Sequence, residues 1–286
     1  MSDPPQDRTR TIEIEVAVDA SPEQVWEAIS EGEGIRRWFA PEARVSPGVG
    51  GSIWLSWGAG MEGEATIDIW EPSKRIRWIE EWGSSEDEGG ATLTAVEFHV
   101  ETRGGGSIVR LVHSGFSASA DWDEYYDATE AGWTYFLWNL RHYLERHPGT
   151  PRTMISDRRK TTRPFDEVWA GLLGPGGMAV SSLETLAAGD ALAFSVGASS
   201  FSGETAYVRA PRNLAGTLEE LNDGLIFVEM EPCASDTWAC GVWISAYGVA
   251  EERIETLQRQ LTELMDGIFG AANGVGNGEA RVATSM

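Results

Sequence analysis

The stretch from Asp121 to Arg146 constrains this chain more than any other. Trp133, Phe136, Leu137, Leu140, Tyr143 and Leu144 recur there at spacings of three and four, which puts them on one face of a helix of about seven turns. A face that apolar has to be buried. What precedes it reads as strand and turn: Ser52 to Trp57, Glu64 to Trp70, Arg75 to Trp82, Ala91 to Thr102 and Ser107 to Ser114, separated by Gly, Pro and Ser clusters. The helix is therefore expected to cover an antiparallel meander, giving an α+β architecture.

The start of the chain fits the same plan. Ile12, Ile14, Val16 and Val18 alternate with Glu13, Glu15 and Ala17, the period of a half-buried strand. Ser21, Pro22 and Gln24 then spell a capping box with proline at the first helical position, and Val25, Trp26 and Ile29 supply its buried stripe. A second short helical segment is expected over Ile35 to Phe39, closed by Pro41. In the last hairpin, only a turn at Arg103 to Gly106 puts the apolar residues on one face. It pairs Val100 with Val109, Phe98 with Leu111 and Val96 with His113, so His113 points inward and His99 outward.

His147 to Pro151 reads as a linker, and 286 residues are enough for two domains. The second half echoes the first. Pro164, Val168 and Trp169 repeat Pro22, Val25 and Trp26; strands follow at Ala191 to Val196, Leu225 to Glu231 and Trp238 to Tyr247; and Ile254, Leu257, Leu261, Leu264 and Ile268 mark a closing helix. This second copy, over residues 152–270, is about 22 residues shorter. Ser156 to Lys160, rich in charge, is expected to be an exposed edge or a loop. Ten of the 13 tryptophans fall in residues 10–147, and residues 271–286 are expected to be a disordered tail.

Composition excludes several functions. A net charge of −23 opposes binding to phosphate backbones or anionic membranes, so no nucleic-acid partner is expected. No apolar run spans a bilayer and the N-terminus has no apolar signal core, which suggests a cytoplasmic protein without a membrane span. Cys233 and Cys240 match neither a disulfide framework nor a common zinc spacing, and no glycine-rich phosphate loop or nucleophile elbow is present. No metal and no cofactor are expected. His142 and His147 lie five apart, out of line on a helix, and are expected to be exposed.

The order of elements, with Ser21-Pro22-Glu23-Gln24-Val25-Trp26, Arg37-Trp38-Phe39-Ala40-Pro41, His113-Ser114-Gly115-Phe116 and Gly132-Trp133 followed by Phe136-Leu137 and Leu140, resembles the SRPBCC (START and Bet v 1-like) superfamily. More narrowly it is similar to the AHSA1-like branch, related to the activator of Hsp90 ATPase. The resemblance implies a helix-grip fold, a curved antiparallel sheet around the long C-terminal helix, in two tandem copies. It also implies a cavity for a hydrophobic or aromatic small molecule, in a carrier, sequestration or resistance role. Trp38, Phe39, Trp54, Trp57, Trp78, Phe98, Leu111, His113, Trp133, Phe136 and Leu140 are the candidate lining. The other reading of these aromatics is that they fill a core. Alternation along Ile53 to Trp57 already prevents all the strand tryptophans from pointing inward.

Two further functions remain open. One is a cyclase or dehydratase using His113 as acid or base, polarised by Glu64 or Glu80. The other is a cochaperone-like protein-interaction module, and a homodimer is compatible with either.

Overall fold

The computed structural model describes residues 9–58, 61–82, 92–119, 122–234 and 237–270. The expected tail lies outside them. The chain divides into two compact units, the first ending at Pro148 and the second beginning at Gly149.

The first unit runs β1 (Thr9–Val18), α1 (Pro22–Ser30), α2 (Gly32–Arg36), β2 (Glu42–Ser46), β3 (Ser52–Ser56), β4 (Glu62–Glu71), β5 (Arg75–Trp82), β6 (Thr92–Arg103), β7 (Gly106–Ser117) and α3 (Asp123–Arg146). Its strands form one antiparallel sheet in the order β1-β7-β6-β5-β4-β3-β2. Ser21 caps α1 as its spelling requires: the Gln24 amide donates to Ser21 Oγ at 3.3 Å and the Ser21 amide donates to Gln24 Oε1 at 2.9 Å. The second helix begins earlier than expected, at Gly32 rather than Ile35. Gly34 makes this possible, because a Cβ there would stand 2.0 Å from the Glu27 carbonyl oxygen of α1.

The hairpin register follows from side-chain parity. Val96 faces His113, Phe98 faces Leu111, Val100 faces Val109, and Gly104 and Gly105 turn the chain with positive φ. His99 lies on the opposite face, its Nε2 2.6 Å from Glu97. One irregularity shapes the inner face. Strict alternation from His113 would turn Phe116 outward, but the register with β1 slips at Gly115, and Phe116 is fully buried with its ring 4.5 Å from that of His113. Gly115 has φ of +98°, and a Cβ there would meet the Leu93 carbonyl oxygen at 2.4 Å, so the bulge requires glycine.

The second unit runs β8 (Arg152–Thr161), α4 (Phe165–Leu173), β9 (Ala191–Val196), β10 (Ser199–Arg209), β11 (Asn213–Leu218), β12 (Gly224–Ala234), β13 (Thr237–Tyr247) and α5 (Glu251–Phe269), with sheet order β8-β13-β12-β11-β10-β9. As in the first unit, the first strand pairs with the last. Ser156 to Lys160 is a strand at the sheet edge, not a loop. Arg158 pairs with Glu231, and Arg159 pairs with Asp157 and, at 2.8 Å, with Asp266. The core packed beneath this sheet is mostly aliphatic, with Ile155, Leu172, Val196, Met230, Val242, Leu257 and Leu261 all buried beside the aromatic Trp169, Phe194 and Phe201.

His142 and His147 are buried, against expectation, with ring centroids 5.3 Å apart. His147 is the C-cap of α3 and leaves helical geometry, so the angular separation of a continuous helix does not apply to the pair. No helix among the described residues is long and apolar enough to cross a membrane.

Candidate functional site

Three parts of the first unit converge on the inner face of its sheet: the segment after α2, the inward residues of β5 to β7, and the apolar face of α3. Two hydrogen bonds tie the first to the third. Asn139 Nδ2 on α3 donates to the Trp38 carbonyl oxygen, and Arg37 Nη1 donates to the Tyr143 hydroxyl at 3.2 Å. Asn139 is completely buried, so its amide does the work that an isolated buried polar group could not. Trp38 is also anchored by its own indole, which donates to the Ala28 carbonyl oxygen at 2.8 Å.

Phe39 is thereby held at the centre of an aromatic cluster. Its ring stacks on Trp38 at 5.1 Å and on Trp133 at 5.2 Å, and meets Phe136 at 4.6 Å and Trp57 at 5.1 Å edge-on. Phe98 extends the cluster across the sheet, 5.9 Å from Trp133 and stacked on Trp78 at 5.7 Å. These are the offset and edge-to-face distances aromatic rings prefer. Trp38, Phe39, Trp78, Phe98 and Trp133 are buried, whereas Trp57 and Phe136 are half-buried and form the accessible edge. Leu111, opposite Phe98, and Leu140, on α3, are fully buried beside them.

Trp54 takes no part. The pleat of β3 puts Ile53 and Leu55 in the core and Trp54 on the other face, where the Arg44 guanidinium lies 4.1 Å over its ring.

Two polar side chains stand on the same inner face, each fixed by a tryptophan. The Trp133 indole N–H donates to His113 Nδ1 at 3.0 Å. His113 is completely buried, and burial pulls its pKa down to about 3, so the imidazole is neutral. With Nδ1 accepting, the proton resides on Nε2, which has no hydrogen-bond partner among the described residues. The Trp78 indole N–H donates to Glu80 Oε1 at 2.9 Å, and Thr94 adds a second hydrogen bond. Burial still dominates and raises the Glu80 carboxyl to about 7; its Oε2 is likewise unpartnered among the described residues.

Neither glutamate polarises His113. Glu64 is exposed on β4, and His113 Nε2, the nitrogen that could donate to a carboxylate, has no hydrogen-bond partner among the described residues. Sequence reasoning missed Phe116, whose signal was the glycine before it. It named Glu80 only as a helper, because a glutamate in a strand gives no local sign of being buried.

A family model for "Activator of Hsp90 ATPase homolog 1-like protein" matches residues 19–145. Among solved structures, the chain is similar to the Aha1 dimer from Colwellia psychrerythraea, at 24% identity over 49% of this chain and 99% of that one, with a TM-score of 0.42. A protein from Mesorhizobium loti is 24% identical over 48% of this chain and 98% of its own, TM-score 0.42. DynU16, from the dynemicin biosynthetic locus, is 19% identical over 90% of this chain and 94% of its own, TM-score 0.40. No curated protein matches.

Proposed function

We propose that the first unit, which the AHSA1-like family model matches over residues 19–145, binds a hydrophobic small molecule of aromatic character on its inner face, with the second unit a shortened copy in a structural role. The observation that carries this reading is the continuous run of rings from Trp78 through Phe98, Trp133 and Phe39 to Trp57 and Phe136. Buried aromatics at one end and half-buried ones at the other offer a ligand ring faces to insert against and an edge at which to enter.

Native mass spectrometry with organic extraction tests it: a discrete apolar mass released on denaturation is expected. Equilibrium dialysis with fluorene, a three-ring hydrocarbon, is the direct assay. Trp57→Ala and Phe136→Ala, at half-buried positions, are expected to keep the fold and weaken fluorene binding about tenfold, the effect of one lost aromatic contact. Unchanged affinity in both variants would refute the site.

An enzyme of the cyclase or dehydratase type is the second reading, and one observation moves its acid or base from His113 to Glu80. A histidine titrating near 3 is a poor proton acceptor at neutral pH, whereas a carboxyl near 7 suits proton transfer. Turnover of a substrate that persists unchanged in Glu80→Gln would exclude that role.

A further inference from the structure

We propose that His113 Nε2 and Glu80 Oε2 form a polar end to the aromatic site and select uncharged flat ligands that carry a carbonyl oxygen. This rests on the apolar-ligand reading above and narrows it to a chemical class.

The geometry is that of two anchored donors. Each side chain has one polar atom committed to a tryptophan indole, His113 Nδ1 to Trp133 and Glu80 Oε1 to Trp78. The remaining atom of each has no partner among the described residues, although His113 is fully buried and Glu80 is 4% exposed. The tautomer set by Trp133 makes Nε2 a donor. With Oε1 accepting from Trp78, the neutral form of Glu80 carries its proton on Oε2, a second donor.

Both rise from the same face of the sheet. Glu80 on β5 pairs with Thr94 on β6, and His113 on β7 pairs with Val96, two residues further along β6. Two strand spacings and a two-residue offset separate their Cα atoms by about 12 Å. Trp78, Phe98 and Trp133 supply ring faces around that span.

A buried donor without an acceptor destabilises the fold. A ligand that brings an acceptor oxygen recovers part of that cost, and a hydrocarbon of the same shape does not. Sites built to hydrogen-bond a ligand group discriminate against the analogue lacking it more sharply than apolar walls discriminate by size.

The test compares fluorenone with fluorene, which share one three-ring frame and differ by a carbonyl, by equilibrium dialysis against the purified full chain. Wild type is expected to bind fluorenone at least tenfold more tightly. His113→Phe combined with Glu80→Met, which keeps the apolar bulk but neither donor, is expected to bring the two affinities within about twofold of each other. If the double variant does not fold, each single variant is measured, at least one is expected to lower the ratio, and the wild-type ratio stands as an independent criterion. Equal binding of both probes to wild type overturns this inference and leaves the apolar reading intact. A wild-type preference that survives in the variants overturns the assignment to these residues. Binding of neither probe overturns the apolar reading and this inference with it.

Discussion

Replacing Glu80 by glutamine should stabilise the first domain in a pH-dependent way. The carboxyl is 4% exposed, and burial lifts it from an ordinary value of 4.5 to about 7 in spite of hydrogen bonds from Trp78 and Thr94 that favour the anion. A raised carboxyl pKa means that folding takes up a proton between those two values. The cost is absent below pH 4.5, where both folded and unfolded chains are protonated, and it is complete above pH 7, where both are ionised. At about 1.4 kcal/mol for each step of one in pKa, ionised Glu80 costs the fold about 3 kcal/mol. Glutamine is isosteric and keeps an oxygen for the Trp78 indole, but it does not ionise. The variant's advantage over wild type should therefore rise from near zero at pH 4 to about 3 kcal/mol at pH 8. Guanidinium denaturation followed by tryptophan fluorescence reads this domain preferentially, because ten of the 13 tryptophans precede residue 148. Subtracting wild type from variant at each pH cancels every other titrating group. A difference that is flat from pH 4 to 8, or that favours wild type at high pH, would refute the argument.

His113 should act in the opposite direction: its pKa is lowered from 6.5 to about 3, so its contribution is whole above 6.5 and is lost as pH falls towards 3. Acid denaturation of wild type and His113→Gln should show the wild type losing up to about 5 kcal/mol more over that interval. Trp133→Phe keeps the ring but leaves buried His113 Nδ1 without its donor, and a loss of about 1–3 kcal/mol is expected in chemical denaturation. Gly115→Ala has to adopt a φ of +98° with a Cβ against the Leu93 carbonyl, so a loss of more than about 2 kcal/mol, and weaker packing of Phe116 by near-ultraviolet circular dichroism, should follow.

Much of the first domain was legible because its signals are local. Ser21 to Gln24 closes a capping box within four residues, the helix face from Trp133 to Leu144 repeats with the helix itself, and the hairpin register follows from parity once the turn at Gly104 and Gly105 is recognised. Two short strands were not legible. Glu42–Ser46 is only five residues long, and Asn213–Leu218 carries an asparagine and a glycine that weaken any strand pattern. The charged strand Arg152–Thr161 looks like a loop by composition, yet a complete ladder to β13 and acidic partners for Arg158 and Arg159 hold it in the second sheet. His147 misled for a related reason: the chain leaves helical geometry at that residue, so the helical period does not place its side chain.

The candidate site divides along the same line. The family resemblance gathered Trp38, Phe39, Trp57, Trp78, Phe98, Trp133 and Phe136 as candidate lining, and hairpin parity turned His113 inward, because a pleat assigns a side chain to a face without reference to distant residues. Tertiary structure alone decided that Trp54 lies outside the cluster under Arg44, that a bulge returns Phe116 to the core, and that indoles from Trp133 and Trp78 occupy one atom each of His113 and Glu80. Hydrogen-bond partners and desolvation are set by atoms from other elements within a few ångströms, and it is these that place two carefully spelled polar residues, of the same outward type as any on the surface, at about 3 and about 7 in a wall of aromatic rings.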